Sequence, residues 1–253
     1  MVEVTLRKVW LALIVLGVVS AIAFAAPLGP DTVSVDKSER MPGNNGGVGV
    51  DAQAGNVTQL SITASKITNF WQGYYGNISG TITLDDGNNY TLYDWNLPSP
   101  SGEIYAANSS VSSWSAPVCI NLSSQRPGFN CTFSDDAPNA ECLNSTEIEN
   151  YFGMAVGSSD GVNETFDTLV NITVGSTALT QCAGTNLYVN NTNQSQFWKE
   201  ALISINNTET IIFSSILENN YWGFNNKTWD FQMIVGEKNT TGTSNYYFYV
   251  ELT

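Results

Sequence analysis

From Asn56 to the end of the chain, apolar and polar residues alternate in short runs broken by Gly-, Asn- and Asp-rich stretches. A period of two belongs to strands, because successive side chains on an extended backbone point to opposite faces. Val57–Thr63 alternates cleanly. Ile78 to Leu84 and Tyr90 to Trp95 flank Asp85-Asp86-Gly87-Asn88-Asn89, which predicts a hairpin with a Gly/Asn turn. Further strands are expected at Glu103–Ala107, Thr168–Val174, Leu187–Val189, Leu202–Ile205, Thr210–Leu217, Trp229–Val235 and Tyr246–Leu252. The last is apolar or aromatic on both faces, the pattern of a central or buried strand, and it pins the C-terminus into the core. Helical signals are scarce. Thr146 to Met154 predicts one short helix, with Thr146 as N-cap and Glu147 and Glu149 in the first turn. Gln194 to Leu202 is a weaker second. The expected fold is an all-β antiparallel sandwich over residues 56–253, one large sheet or two packed sheets, with at most one or two short helices.

Residues 26–55 break this pattern. Pro27, Pro30 and Pro42, a charged patch at Asp36, Lys37, Glu39 and Arg40, and Gly43-Asn44-Asn45-Gly46-Gly47 leave few large apolar residues. Within this extension Val33 and Val35 alternate with polar neighbours, as do Val48, Val50, Ala52 and Ala54. Such a segment has three fates: a first strand of its own domain, a strand added to a neighbouring copy's sheet, or disorder.

Ahead of the extension, Arg7 and Lys8 precede an uncharged run from Val9 to Ala26, which ends Ala23-Phe24-Ala25-Ala26-Pro27. This is the layout of a secretory signal peptide over residues 1–25, cleaved to leave Ala26 first. The competing reading is a retained anchor, since the run falls just short of a comfortable span. No other stretch approaches eighteen apolar residues. The rest is therefore expected to be soluble, meeting a membrane only through that first segment if it is uncleaved.

Export changes how the cysteines read. Cys119, Cys131, Cys142 and Cys182 fit no zinc spacing and no histidine exists to complete one, so two disulfides are expected. Three connectivities are possible. Cys119–Cys182 with Cys131–Cys142 is favoured, because the second bridge closes a short Asn/Pro/Asp-rich excursion. The net charge of −14 becomes −15 when residues 1–25, with Arg7, Lys8 and Glu3, are removed. Phosphate binding needs clustered Lys and Arg, so nucleic acid is excluded as a partner. The acidity serves solubility.

Asn-x-Ser/Thr occurs fourteen times, at Asn56, Asn77, Asn89, Asn108, Asn121, Asn130, Asn144, Asn163, Asn171, Asn190, Asn193, Asn206, Asn226 and Asn239. Chance placement of 28 Asn and 49 Ser or Thr among 253 residues would give about 5 such matches. In an exported chain this density predicts N-linked glycans over most exposed faces.

Catalytic chemistry is thinly represented. The lack of histidine removes His triads, His metal sites and the usual base near neutrality, and oxidised cysteines supply no thiolate. Three carboxylate pairs remain, Asp85/Asp86, Asp135/Asp136 and Glu147/Glu149. They sit in turn-like or helix-start contexts that account for them locally. Asp85–Asn89 and Ser134-Asp135-Asp136 carry oxygen ligands without full calcium-loop spacing. No enzyme, metal or cofactor is expected. Trp71 with Tyr74 and Tyr75, or Tyr221 with Trp222, reads either as core packing or as a surface that stacks on sugars.

The run NFWQGYYGNISGTITLDD from Asn69 to Asp86 is similar to the opening of a family of exported archaeal surface proteins with no assigned activity. The similarity continues at Tyr93-Asp94-Trp95, Ser101–Ala106, Asp230–Val235 and Tyr246–Leu252. It covers most of the domain and leaves residues 26–55 outside. The resemblance implies an archaeal surface protein. It also implies that Cys119 and Cys182 are the family's cysteines, with Cys131 and Cys142 in an insertion. Together these features lead us to expect a homopolymeric, glycosylated subunit of a surface layer or filament. A cell-surface carbohydrate-binding or adhesion module is the alternative.

Overall fold

The computed structural model describes residues 26–42, 47, 49–64, 66–96, 99–120, 122, 145–205, 208, 210–238 and 243–252. The hydrophobic start, Val48, Cys131, Cys142, Asp135, Asp136 and the sequons Asn121, Asn130, Asn144, Asn206 and Asn239 lie outside the described residues.

An antiparallel sheet of seven strands forms the body. Its path runs β15 (Tyr247–Leu252), β4 (Gly102–Ala107), β11 (Ile212–Ile216), β10 (Lys199–Ile205), β7 (Thr177–Asn186) and β6 (Thr168–Val174). The seventh strand, β5 (Pro117–Cys119), pairs with the second half of β10 where β7 pairs with the first. Cys119 and Cys182 therefore meet, and their disulfide joins β5 to β7 with Cα atoms 4.8 Å apart.

Alternation sends successive residues of this sheet into two cores. On one face Ala106, Leu202 and Phe213 pack with Met233 and Val235 of β14 (Phe231–Gly236). β14 pairs with β1 (Trp71–Gly76), and this ribbon forms the second layer. Ile148 and Phe152 of α1 (Ser145–Phe152) and Val162 of α2 (Val162–Thr165) complete that core. On the other face Tyr105, Ala107, Ala201, Ile203 and Ile212 pack under Val170, Ile172 and Val174 of β6. The sheet curls so that its last strand covers its own face. A β-bulge between Val170 and Ile172 helps bend the β6–β7 hairpin over. The fold is the expected all-β antiparallel sandwich with two short helices among the described residues.

Several elements differ from the sequence-based expectations. Val57–Thr63 forms no strand: Val57 and Ile62 are 101% and 83% exposed. Alternation makes a strand only where an edge lies alongside, and none does here. Val50, Ala52 and Ala54 are likewise exposed and outside any strand. Gln194–Leu202 is no helix, since β10 begins at Lys199. The helix expected at Thr146 begins at Ser145. β1 and β7 were not anticipated, because Gly73 and Gly76 interrupt one and the run Thr177–Asn186 lacks alternation. Tyr246–Leu252 is an edge strand, not a central one. Its residues are apolar on both sides because Phe248 packs in the first core and Tyr249 in the second.

The expected hairpin forms as β2 (Thr81–Asp85) and β3 (Thr91–Asn96). Asp86 Oδ1 accepts from the amides of Asn88 and Tyr90, and Asn89 takes the positive φ of 64° that the turn requires.

Candidate functional site

The two edges of the main sheet are finished in different ways. Outside β15 the only strand-like partner among the described residues is Leu28, which exchanges both backbone hydrogen bonds with Val250 at 3.0 and 2.8 Å. Pro27 beside it is buried. Since Val250 faces outward, so do the backbone groups of Phe248 and Leu252, two residues to either side. Among the described residues no strand flanks them. Beyond Leu28, Val33, Val35, Met41 and Val50 of the extension are each more than half exposed, as are Val57, Leu60 and Ile62 of the stretch that follows it.

At β6 the edge is closed by side chains from β4 and β15. The Thr173 amide donates to Glu103 Oε1 at 3.3 Å, and the Gly175 amide donates to Glu251 Oε2 at 2.9 Å. Tyr105 Oη lies 3.0 Å from both Thr173 O and Glu251 Oε2. Glu103 and Glu251 face each other across the β4–β15 register, and no cation is among the groups acting on Glu103. Burial, reinforced by the Glu251 charge and opposed by the Thr173 amide, lifts the Glu103 carboxyl to about 7. Burial likewise raises Tyr105, keeping its hydroxyl a neutral donor.

A further carboxyl, Glu200 on β10, is fully buried between the layers. Its Oε2 accepts the Ile234 amide at 2.8 Å, while Oε1 has no partner in the chain. Desolvation raises it well above the carboxylate range. These acids tie backbone together and converge on no cleft. Of the sequence's carboxylate pairs, Asp85 and Asp86 are exposed in the hairpin. Glu149 is buried, its Oε1 accepting the Val162 amide at 3.1 Å to join α1 to α2. No group of three or more Cys, Asp or Glu suited to a metal occurs among the described residues.

Nine of the fourteen sequon asparagines are described. Asn56, Asn77, Asn89, Asn163, Asn171, Asn190, Asn193 and Asn226 are exposed, and Asn108 is half-buried. Asn108 Oδ1 accepts the Ile211 amide at 3.0 Å, and Asn171 Oδ1 accepts that of Gln181 at 2.9 Å.

The aromatic candidates divide. Trp71 packs against Phe166 and Phe213 at 5.8 and 6.4 Å and donates Nε1–H to Asp160 O at 2.7 Å, so it is core. Tyr74 packs edge-on to Phe248, and Tyr221 lies on Phe197. Trp222 stays 53% exposed at the end of β12 (Tyr221–Trp222), next to the half-exposed ring of Phe224. Sequence reasoning missed Glu103 and Glu251, and also Gln232, a buried amide on β14 that accepts the Phe224 amide and donates to Tyr188 O. A lone acid or amide inside an apolar run was the only signal each gave.

Among the described residues no helix is long and apolar enough to cross a membrane. The Cys119–Cys182 bridge is compatible with an oxidising, extracellular setting. No family model, no curated protein and no solved structure matches the chain.

Proposed function

We propose that the protein is an exported, N-glycosylated structural subunit of an extracellular filament or surface layer. In this reading each copy adds its N-terminal extension to the sheet of the next. The observation that carries it is a pair of unmet halves: among the described residues β15 has an outer edge covered only by Leu28, and Val33, Val35 and Val50 of the extension stand exposed. An unpaired edge is a template for another strand. Val48, Val50, Ala52 and Ala54, or the adjoining Val57–Thr63, supply two stretches of the right period. Residues 29–65 would reach about 120 Å when extended, ample to cross a neighbouring domain about 40 Å wide.

Electron microscopy of protein taken from the cell surface, beside a variant lacking residues 29–65, tests the reading. Ordered polymers of the full chain and folded monomers of the variant are expected. Polymers of the variant would remove strand addition, and dispersed full-length monomers would remove the structural role. A second reading, a carbohydrate-binding or adhesion module, is favoured by exposed Trp222. It requires that Trp222→Ala abolish binding to cell-surface glycans while leaving the fold intact.

A further inference from the structure

Three sequons share a local feature that the fold brings to one place. Asn77, Asn190 and Asn226 each have an aromatic residue two positions before them: Tyr75, Tyr188 and Phe224. None of the other eleven sequons has one there. The three aromatics are 36%, 50% and 42% exposed, and all three are gathered on one buried residue, Gln232. Tyr75 is the register partner of Gln232 in the β1–β14 ribbon. The Gln232 side chain accepts the Phe224 amide on Oε1 at 2.6 Å and donates from Nε2 to Tyr188 O at 3.2 Å. Tyr75 and Phe224 touch edge-to-face at 4.9 Å, and Trp229 backs Tyr75 at 4.8 Å.

The turn carrying Asn226 is held from several sides. Gly223 N–H donates to Lys227 O at 2.7 Å, and Asn226 N–H donates to Gly223 O at 3.3 Å. The neighbouring amide, Asn225, is engaged by Trp229 Nε1 at 2.9 Å, whereas the sequon residue Asn226 is exposed at φ 58°. A side chain at Gly223 would meet Trp229 at 2.5 Å and Gln232 Oε1 at 2.8 Å, so it would displace the residues that hold the turn. Asn190 N–H reaches Gly223 O at 3.2 Å, which docks the second sequon on the same turn.

We propose that Tyr75, Tyr188 and Phe224, fixed by Gln232, form a seat for the chain's own N-linked sugars. The first pyranose on Asn77, Asn190 or Asn226 lays its C–H face on the aromatic two residues upstream. The inference rests on the glycoprotein reading above. A pyranose face offers apolar C–H groups, and covering a half-exposed ring with them removes apolar surface from water. An aromatic two residues upstream places that ring beside the first sugar without further ordering of the chain.

Glycopeptide mass spectrometry and thermal unfolding of the native glycoprotein test it through double-mutant cycles. Asn226→Gln, Asn77→Gln and Asn190→Gln should each lower Tm by about 2–4 °C. The sugar-linked part of that loss should vanish in the Phe224→Leu, Tyr75→Leu or Tyr188→Leu background respectively, leaving only the backbone cost of replacing Asn at positive φ for Asn226 and Asn190. Asn163→Gln and Asn171→Gln serve as controls whose effects stay independent of these rings. Leu retains bulk, so an unfolded variant is not the expected outcome; should one occur, Phe224→Tyr and the matching Tyr→Phe variants must preserve the glycan-linked shift. Occupied sites with additive effects overturn the seat, as do empty sites at these three positions on a chain glycosylated elsewhere. A chain bearing no glycan at all instead overturns the reading beneath it. Tight binding of free oligosaccharide to these rings in unglycosylated protein also overturns the proposal, since the seat would then serve a foreign sugar.

Discussion

At β6 the main sheet ends beneath Glu103, Tyr105 and Glu251; at β15 it ends beneath one residue of the N-terminus. Both are edge strands of the same sheet, and both expose backbone groups that could recruit another strand. The first set is satisfied by buried side chains of β4 and β15, so opening it strips Glu103, Tyr105 and Glu251 of their hydrogen bonds as well. The second is covered by Leu28, at the head of an extension otherwise exposed. Under the proposed strand addition, the closed edge would keep growth in one direction and the Leu28 cover would be the part exchanged.

The sharpest way to break this contrast is Val250→Pro. It removes the outward N–H that Leu28 O accepts while leaving the pairing with β4, and proline is tolerated on an outer edge. Complete loss of polymer by electron microscopy is expected, with the monomer still folded by circular dichroism. At the closed edge, Glu251→Ala strands the Gly175 amide and one contact of Tyr105. We expect a cost of about 3 kcal/mol in urea unfolding, whereas Tyr105→Phe, which keeps the packing, should cost about 1 kcal/mol.

The closed edge should also answer to pH. Glu103 keeps its proton in the folded protein up to about 7 and loses it near the ordinary carboxylate value when unfolded. The folded state then binds more protons, so stability is full in acid and falls as pH rises through that window, by about 2–3 kcal/mol. Denaturant midpoints measured across the window should decline, and Glu103→Gln should flatten the decline. The open edge gives the smallest effect. Leu28→Ala should shift the midpoint by no more than about 1 kcal/mol, since its two hydrogen bonds are backbone and its side chain is exposed.

Much of this arrangement was legible before any coordinates. Thr168–Val174 alternates because one face lies in a core, and Glu103–Ala107 is a short apolar run because both faces do; the structure places β6 and β4 there. The Cys119–Cys182 bridge is one half of the favoured pairing; Cys131 and Cys142 lie outside the described residues. What failed did so where long-range contact overrides local pattern. Val57–Thr63 has a strand's alternation and no partner. Two apolar sides lead one to expect Tyr246–Leu252 to be central or buried; it is not central, being an edge strand, but it packs against both cores. The acids that close β6 were invisible for a related reason. A glutamate within a strand looks solvent-facing until the sheet curls, and only the bend at Val170–Ile172 brings the Thr173 amide to it.

The buried carboxyls also change what unfolding does to its surroundings. Between the ordinary carboxylate range and about 7, opening the chain discharges the proton held at Glu103, and Glu200 adds another from deeper in the core. The buffer takes up what the protein lets go. Heat absorbed on melting will therefore depend on the buffer's own ionisation enthalpy, so a calorimeter comparing phosphate with an amine buffer would read different enthalpies for one and the same fold.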